Sequence, residues 1–353
     1  MGTSGYSTYD DALDRTAPYG IALKNGNFNH APMVAETLCA LGHPEAVMPW
    51  IDRYCERMQP RPAAGARIRS DRWSDALGKR ERFSDWGAFF QTELERAPWS
   101  TVLDCWVRRL APGYCAAATH GVIRLGHAVR GLADAETPSR LREFAEALAS
   151  WAATWEQLPQ GGTRPVETLP PREAITRVPL VPPELRRPGN IMAALGGLGD
   201  FPEFLPVIGW IDYDGPIAPQ IVELTELFAR VYLANARDIA TAIAFIHSVT
   251  STAALGNIAP YVSAATARTA LRYAWQTGCG LYACYGGTTA FSAAIAPSDK
   301  NEQQLIEQAI ANGDEHVIKF TEACLSRHAM APSAAYLAAA DHAATTVRRR
   351  RSE

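Results

Sequence analysis

Apolar residues in this chain recur every three or four positions and hardly anywhere every second one. That is the period of a helix with one buried face, not of a strand. Between Asn29 and Leu41 the stripe is His30, Met33, Val34, Thr37, Leu38 and Leu41. Asn29 is placed to cap this helix, and Pro32 falls in its first turn, where a missing N–H costs nothing. The same reading predicts helices over Ala46–Arg57, Trp86–Leu94, Trp99–Leu110, Cys115–Gly131 and Ser139–Leu158. From Leu158 to Asn190 the chain is crowded with Pro and Gly, which excludes a long helix and predicts a meandering connection. Apolar segments resume at Ile191–Leu205 and run from Ile217 to about Leu255. Helices over Tyr261–Tyr285, Glu302–Ala311, Asp314–Met330 and Ala331–Val347 follow. Strand-like alternation is confined to two short pieces near Val207–Tyr213. Glycines clustered at 196–199 and 278–287 predict turns or close helix approaches.

The expected fold is therefore all-α, a single compact multi-helical domain. Its two helical halves lie at about 17–158 and 191–347, joined by the Pro-rich connection 159–190 and flanked by short flexible termini. The Arg348–Arg351 run reads as a solvated helix end, since cations suit a helix C-terminus.

Composition narrows the function by exclusion. With 34 Lys+Arg against 37 Asp+Glu the net charge is −3, unlike a nucleic-acid-binding domain. No apolar run approaches the roughly 20 residues of a membrane span. The N-terminus lacks a basic segment followed by an apolar one, so the expected compartment is the cytoplasm. Seven widely spaced cysteines read as reduced thiols rather than a disulfide framework. No G-x-G-x-x-G follows a βαβ pattern, and neither a P-loop nor a G-x-S-x-G elbow occurs, which disfavours built-in nucleotide folds and esterase chemistry.

Histidine placement is the informative feature. His43, His328 and His342 lie at boundaries or in polar stretches, whereas His30, His120, His127, His247 and His316 sit on otherwise apolar stripes. Imidazole is costly to bury alone, and each of the five is either a hydrogen-bonded core residue or a metal ligand. His120 and His127 share a face two turns apart, roughly 10 Å along the axis, so at most one of them can ligate a given ion. Arg124, between them, is suited to an anionic substrate oxygen or to a carboxylate of the protein. Asp314 is placed to cap a helix that carries His316 and Lys319 on one face at i, i+3 spacing. Lys319, flanked by Val317, Ile318 and Phe320, is either a snorkelling cation paired with Glu315 or Glu322, or a buried amine of depressed pKa that carbon dioxide can carboxylate. Imidazoles with one oxygen donor and open positions suit mononuclear non-haem iron, and zinc hydrolases use similar ligands.

Four blocks taken together, NFNHAPMVAETLCALG, THGVIRLGHAVR, FIHSVTSTAAL and DEHVIKFTEACL, resemble the questin oxidase family in order and spacing, over about residues 17–330. The resemblance implies an oxidase of aromatic polyketide pathways that opens an anthraquinone ring with dioxygen. It further implies an Fe(II) site of His30, His120, His247 and His316, with Lys319, carboxylated or not, as fifth donor. His127, Arg124, Asp314 and Thr250 would support that site, and an ion so shared would clamp the two halves together. Relatives nominally use NADPH, for which no binding fingerprint is legible here, so NADPH would serve as an external reductant. Trp275, Tyr273 and Tyr282 are candidates to stack on a flat polycyclic substrate, with core packing as their commoner use. The segment Gly65–Lys79 matches no motif and is placed to shape the pocket. Two other readings of the same residues remain open, a metal-dependent hydrolase or lyase and a non-catalytic helical binding protein.

Overall fold

The structure is a computed structural model, and it describes residues 6–161, 168–287 and 289–347. The Arg348–Arg351 run and the outermost termini lie outside the described residues. The fold is all-α. The sheet among the described residues is one antiparallel pair, β1 (Tyr19–Leu23) with β2 (Met58–Pro60).

The chain divides into two units, one reaching through Glu156 and including Asn257–Thr266, the other formed by Gln157–Gly256 and the chain from Ala267 onward. The first holds α1 (Ser7–Thr16), α2 (Ala31–Ala40), α3 (Val47–Cys55), α4 (Phe83–Arg96), α5 (Trp99–Leu110), α6 (His120–Asp134) and α7 (Pro138–Ala153). Its centre is α7, on which α4 and α6 pack, while α2 lies against α1, α3 and α6. Pro138 at the first position of α7 and Thr137, whose hydroxyl accepts from the Arg140 N–H, start that helix cleanly. Along α7, Phe144, Leu148 and Trp151 are fully buried, and Trp86, Phe89, Phe90 and Trp106 form a neighbouring cluster of edge-to-face and stacked rings.

The second unit holds α8 (Pro171–Arg177), α9 (Ile191–Gly196), α10 (Ile217–Asn235), most of α11 (Ile239–Ile258) and α12 (Ala264–Tyr285), α13 (Glu302–Asn312), α14 (Glu315–Met330) and α15 (Ala334–Thr346). Helices α13, α14 and α15 pack on one another, and α10 packs on α15 and α8. On α12, a Cβ at Gly278 would lie 2.2 Å from the Phe228 ring of α10, so only glycine permits this approach.

Four expectations are corrected. The stretch Ile217–Leu255 is two helices, because the Asp238 carboxylate accepts the Thr241 N–H at 2.8 Å and starts a new one. Residues 207–213 form no strand. Pro202 and Pro206 hold Pro202–Gly209 in a 3-10 turn, and irregular chain follows it. The helix expected from Cys115 begins only at His120. Finally, the helical stretch Ile239–Tyr261 is apolar over the length of a membrane span, although 78% of the apolar window is buried inside the protein, as in a core helix.

Candidate functional site

In the first unit, His30 stands at the N-terminus of α2 and His120 opens α6. Asn29 fixes the entry to α2: its side-chain oxygen accepts the Ala31 N–H at 2.9 Å, its amide donates to the Gly20 carbonyl, and the His30 N–H donates to the Tyr54 hydroxyl at 3.0 Å. Both imidazoles are buried, and their Nε2 atoms face each other at 2.8 Å. His120 Nδ1 lies in hydrogen-bonding range of the Ala117 carbonyl, which can only accept. Nδ1 therefore carries the proton and Nε2 the lone pair. Two imidazole nitrogens bound at right angles to one ion, each about 2.0–2.1 Å from it, would be roughly 2.9 Å apart. The pair has that spacing, and Phe28 stacks on the His120 ring at 4.7 Å between centroids.

The backbone leading to His120 is unusual. Ala117, Ala118 and Thr119 all have left-handed φ, of 49°, 56° and 70°. A residue with a Cβ is disfavoured there by roughly 1–2 kcal/mol, so the run stores about 3–6 kcal/mol. Its surroundings hold it in place. The Thr119 N–H donates to the Cys115 carbonyl at 3.1 Å, the Cys115 thiol to the Glu156 carbonyl at 3.1 Å, and the Trp151 indole to the Gly113 carbonyl at 2.8 Å.

In the second unit, His247 on α11 and His316 on α14 bring their rings to 5.4 Å between centroids. His247 Nδ1 donates to the Ile243 carbonyl at 2.7 Å, again leaving Nε2 as the donor atom toward a ligand. Burial, followed by the charges of His316 and Lys319, pushes the His247 pKa well below its ordinary value, so this ring is neutral at pH 7. Asp314 caps α14 through the His316 N–H at 2.8 Å and reaches His316 Nδ1 at 3.2 Å, a carboxylate–histidine pair of the kind that orients metal-binding imidazoles. Its carboxyl is held below the ordinary range, because the His316 contacts outweigh the burial that would raise it. Lys319 is 2% exposed, and burial lowers its pKa to about 7 despite the nearby Glu315 and Asp314. It is a buried amine, not a snorkelling cation.

The other candidates are engaged elsewhere. Arg124 is committed to the protein's own carboxylates, with two contacts of 2.7 Å to Glu143 and one of 3.3 Å to Glu146. His127 does not face the His30–His120 pair; its Nδ1 meets Glu36 at 2.6 Å. Burial alone would raise the Glu36 pKa, but Arg130 and His127 outweigh it and hold it at about 2. Glu36 is a buried partner of His127 that sequence reasoning missed, although it is the lone charged residue of α2. The Thr250 hydroxyl donates to the Ile246 carbonyl of its own helix at 2.8 Å. Trp275 and Tyr282 are core residues rather than exposed stacking surfaces. Trp275 is fully buried, stacks on Phe228 and donates to the Val207 carbonyl, while the Tyr282 hydroxyl donates to the Gly287 carbonyl. Tyr273 is partly exposed on α12. Residues Ala64–Asp71 and α4 frame an open cleft of about 600 Å³ lined by Ile68, Phe89, Arg67 and Arg96.

Fold and site together define an all-helical protein with two oriented imidazole pairs, the first fully buried and the second pairing buried His247 with partly exposed His316, and a buried low-pKa lysine beside the second. A model of the questin oxidase-like family matches residues 28–168, about two fifths of the chain. The matched segment includes His30, His120 and the left-handed turn, and ends before His247, His316 and Lys319. No curated protein matches the chain.

Proposed function

We propose that this protein is a non-haem, iron(II)-dependent oxygenase that oxidises or oxidatively cleaves a polycyclic aromatic, anthraquinone-like polyketide with dioxygen. The observation that carries the reading is the His30–His120 pair, with its Nε2 atoms 2.8 Å apart and the His120 lone pair directed at the gap by the Nδ1 bond to Ala117. The family match supports the oxidase part independently. The residues fit the ion: we assign His30, His120, His247, His316 and Lys319 as its ligands, a set of imidazole and oxygen or amine donors suited to Fe(II). Bound iron would supply the one-electron activation of dioxygen that a spin-paired aromatic lacks.

The chain's own residues prepare that site. His247 is uncharged at working pH, so no proton competes for its nitrogen. With a pKa of about 7, Lys319 presents much of its amine uncharged, able to add to carbon dioxide. The new N–C bond releases one amine proton and leaves a carbamate oxygen in the place a glutamate would occupy. Asp314 fixes the tautomer of His316, and burial of His30, His120 and His247 limits the access of bulk water to the site.

Elemental mass spectrometry of protein purified without oxygen, followed by oxygen uptake with hydroxyanthraquinones with and without NADPH, tests the reading. Stoichiometric iron and substrate-dependent oxygen consumption are expected. Zinc with turnover but no oxygen consumption would instead indicate hydrolysis, and absence of any metal, with no thermal shift on adding iron, would indicate a helical binding protein.

A further inference from the structure

We propose that the left-handed turn Ala117–Thr119 is the positioning device for His120, setting both the tautomer and the direction of its Nε2 lone pair; the inference rests on the metal-site reading above. Alanine is the best helix former, and this alanine-rich stretch by local preference continues the helix of α6 backwards toward Cys115. In a continuous helix the Ala117 carbonyl would accept from the N–H of residue 121 and lie along the helix axis. The left-handed run, with φ of 49°, 56° and 70°, turns that carbonyl back instead. It then receives both the His120 N–H, at 3.3 Å, and His120 Nδ1.

The turn is built on rigid supports. Trp151 holds the Gly113 carbonyl before the turn, Cys115 is tied to Glu156, and a Cβ at Gly121 would lie 2.7 Å from the Trp151 ring, so the first turn of α6 packs directly on that ring through a glycine. Phe28 closes the other face of the imidazole. Strain persisting in a run of ordinary residues at a functional side chain is the pattern expected of pre-organisation. His120 thus meets His30 at 2.8 Å.

The test replaces all three residues by glycine (Ala117→Gly, Ala118→Gly, Thr119→Gly). Glycine adopts the left-handed region without a Cβ penalty but also leaves it freely. The metal-free triple variant is therefore expected to melt within a few degrees of the parent, since relieved strain offsets the freer unfolded chain. Two readouts follow. Nitrogen-15 spectra of the imidazoles, with His120 identified by difference against His120→Gln, are expected to show a single Nδ1–H tautomer in the parent and a mixture in the variant. Cobalt(II) titration is expected to show affinity falling about 10–100-fold, the usual effect of losing an outer contact to a ligand. A triple variant that keeps the Nδ1–H tautomer and binds cobalt within about twofold of the parent would overturn the inference. If the parent takes up no cobalt, the metal reading fails, and the tautomer comparison alone still decides whether the turn positions His120. Ala118→Gly alone serves the same readouts should the triple variant not fold.

Discussion

Burial strips the Lys319 ammonium of water, and the Glu315 and Asp314 charges restore only part of that loss, so the amine titrates at about 7. Glu36 is buried just as fully, yet Arg130 and His127 bring its pKa down to about 2. The difference lies in how strongly opposite charges act on each group, not in burial. A consequence follows for stability. Between about pH 7 and its ordinary value of 10.5, Lys319 is neutral in the folded chain and protonated in the unfolded one. The unfolded state binds more protons across that window, so the metal-free protein gains stability as pH rises through it. Below pH 7 the full cost remains, up to about 5 kcal/mol at roughly 1.4 kcal/mol per pKa unit. Lys319→Met is accordingly expected to raise the stability of metal-free protein at pH 7, to flatten its rise toward pH 10, and to lose metal and turnover. Urea unfolding at several pH values in carbon-dioxide-free buffer measures the first two; unchanged stability at pH 7 would contradict the buried-amine reading.

Helices meet where side chains allow, and the α10–α12 contact depends on one missing Cβ. Gly278→Ala would place a methyl 2.2 Å from the Phe228 ring. Overpacking of this kind costs about 1–3 kcal/mol, so melting is expected to fall by several degrees. Phe228→Leu should restore part of the loss in the double variant, a coupling that thermal unfolding of the four proteins measures. Metal content should be unchanged, because neither residue is among the proposed ligands. Much at this scale is legible in the amino-acid order. Trp99–Leu110 is found as expected, and Asp314 caps α14 because a short acidic side chain before an apolar stripe has little else to do. What escapes is whatever tertiary contacts impose against local preference. Ala117–Thr119 reads as helix because alanine favours helix, and only the contacts of Trp151, Cys115 and Phe28 reveal why it is not. The β1–β2 pairing joins residues far apart in sequence and leaves no alternating pattern to find. Trp275 was ambiguous for another reason: a tryptophan that packs and one that stacks on a ligand look alike until its neighbours are known.

For the molecule as a whole, the proposed ligands are divided between the two units, with His30 and His120 in one and His247, His316 and Lys319 in the other. A single ion held by both sets makes a prediction that two separate ions do not. An ion that binds only folded protein stabilises it by about 2.7 kcal/mol at a hundredfold excess over its dissociation constant. In a chain of this length that corresponds to a melting rise of roughly 4 °C. With one shared ion, His120→Ala and His316→Ala should each abolish most of that rise, and the double variant should lose no more than either alone, since the same binding event is removed every time. With independent ions in the two units, each single variant would keep about half the rise and the losses would add. Scanning calorimetry with anaerobic Fe(II), on the parent and the three variants, separates the cases. Additive losses would rule out the five-ligand centre while leaving each imidazole pair as a site in its own right. Non-additive losses would make the metal the element that couples the two units thermodynamically, so that chelation should lower the cooperativity of unfolding as well as its midpoint.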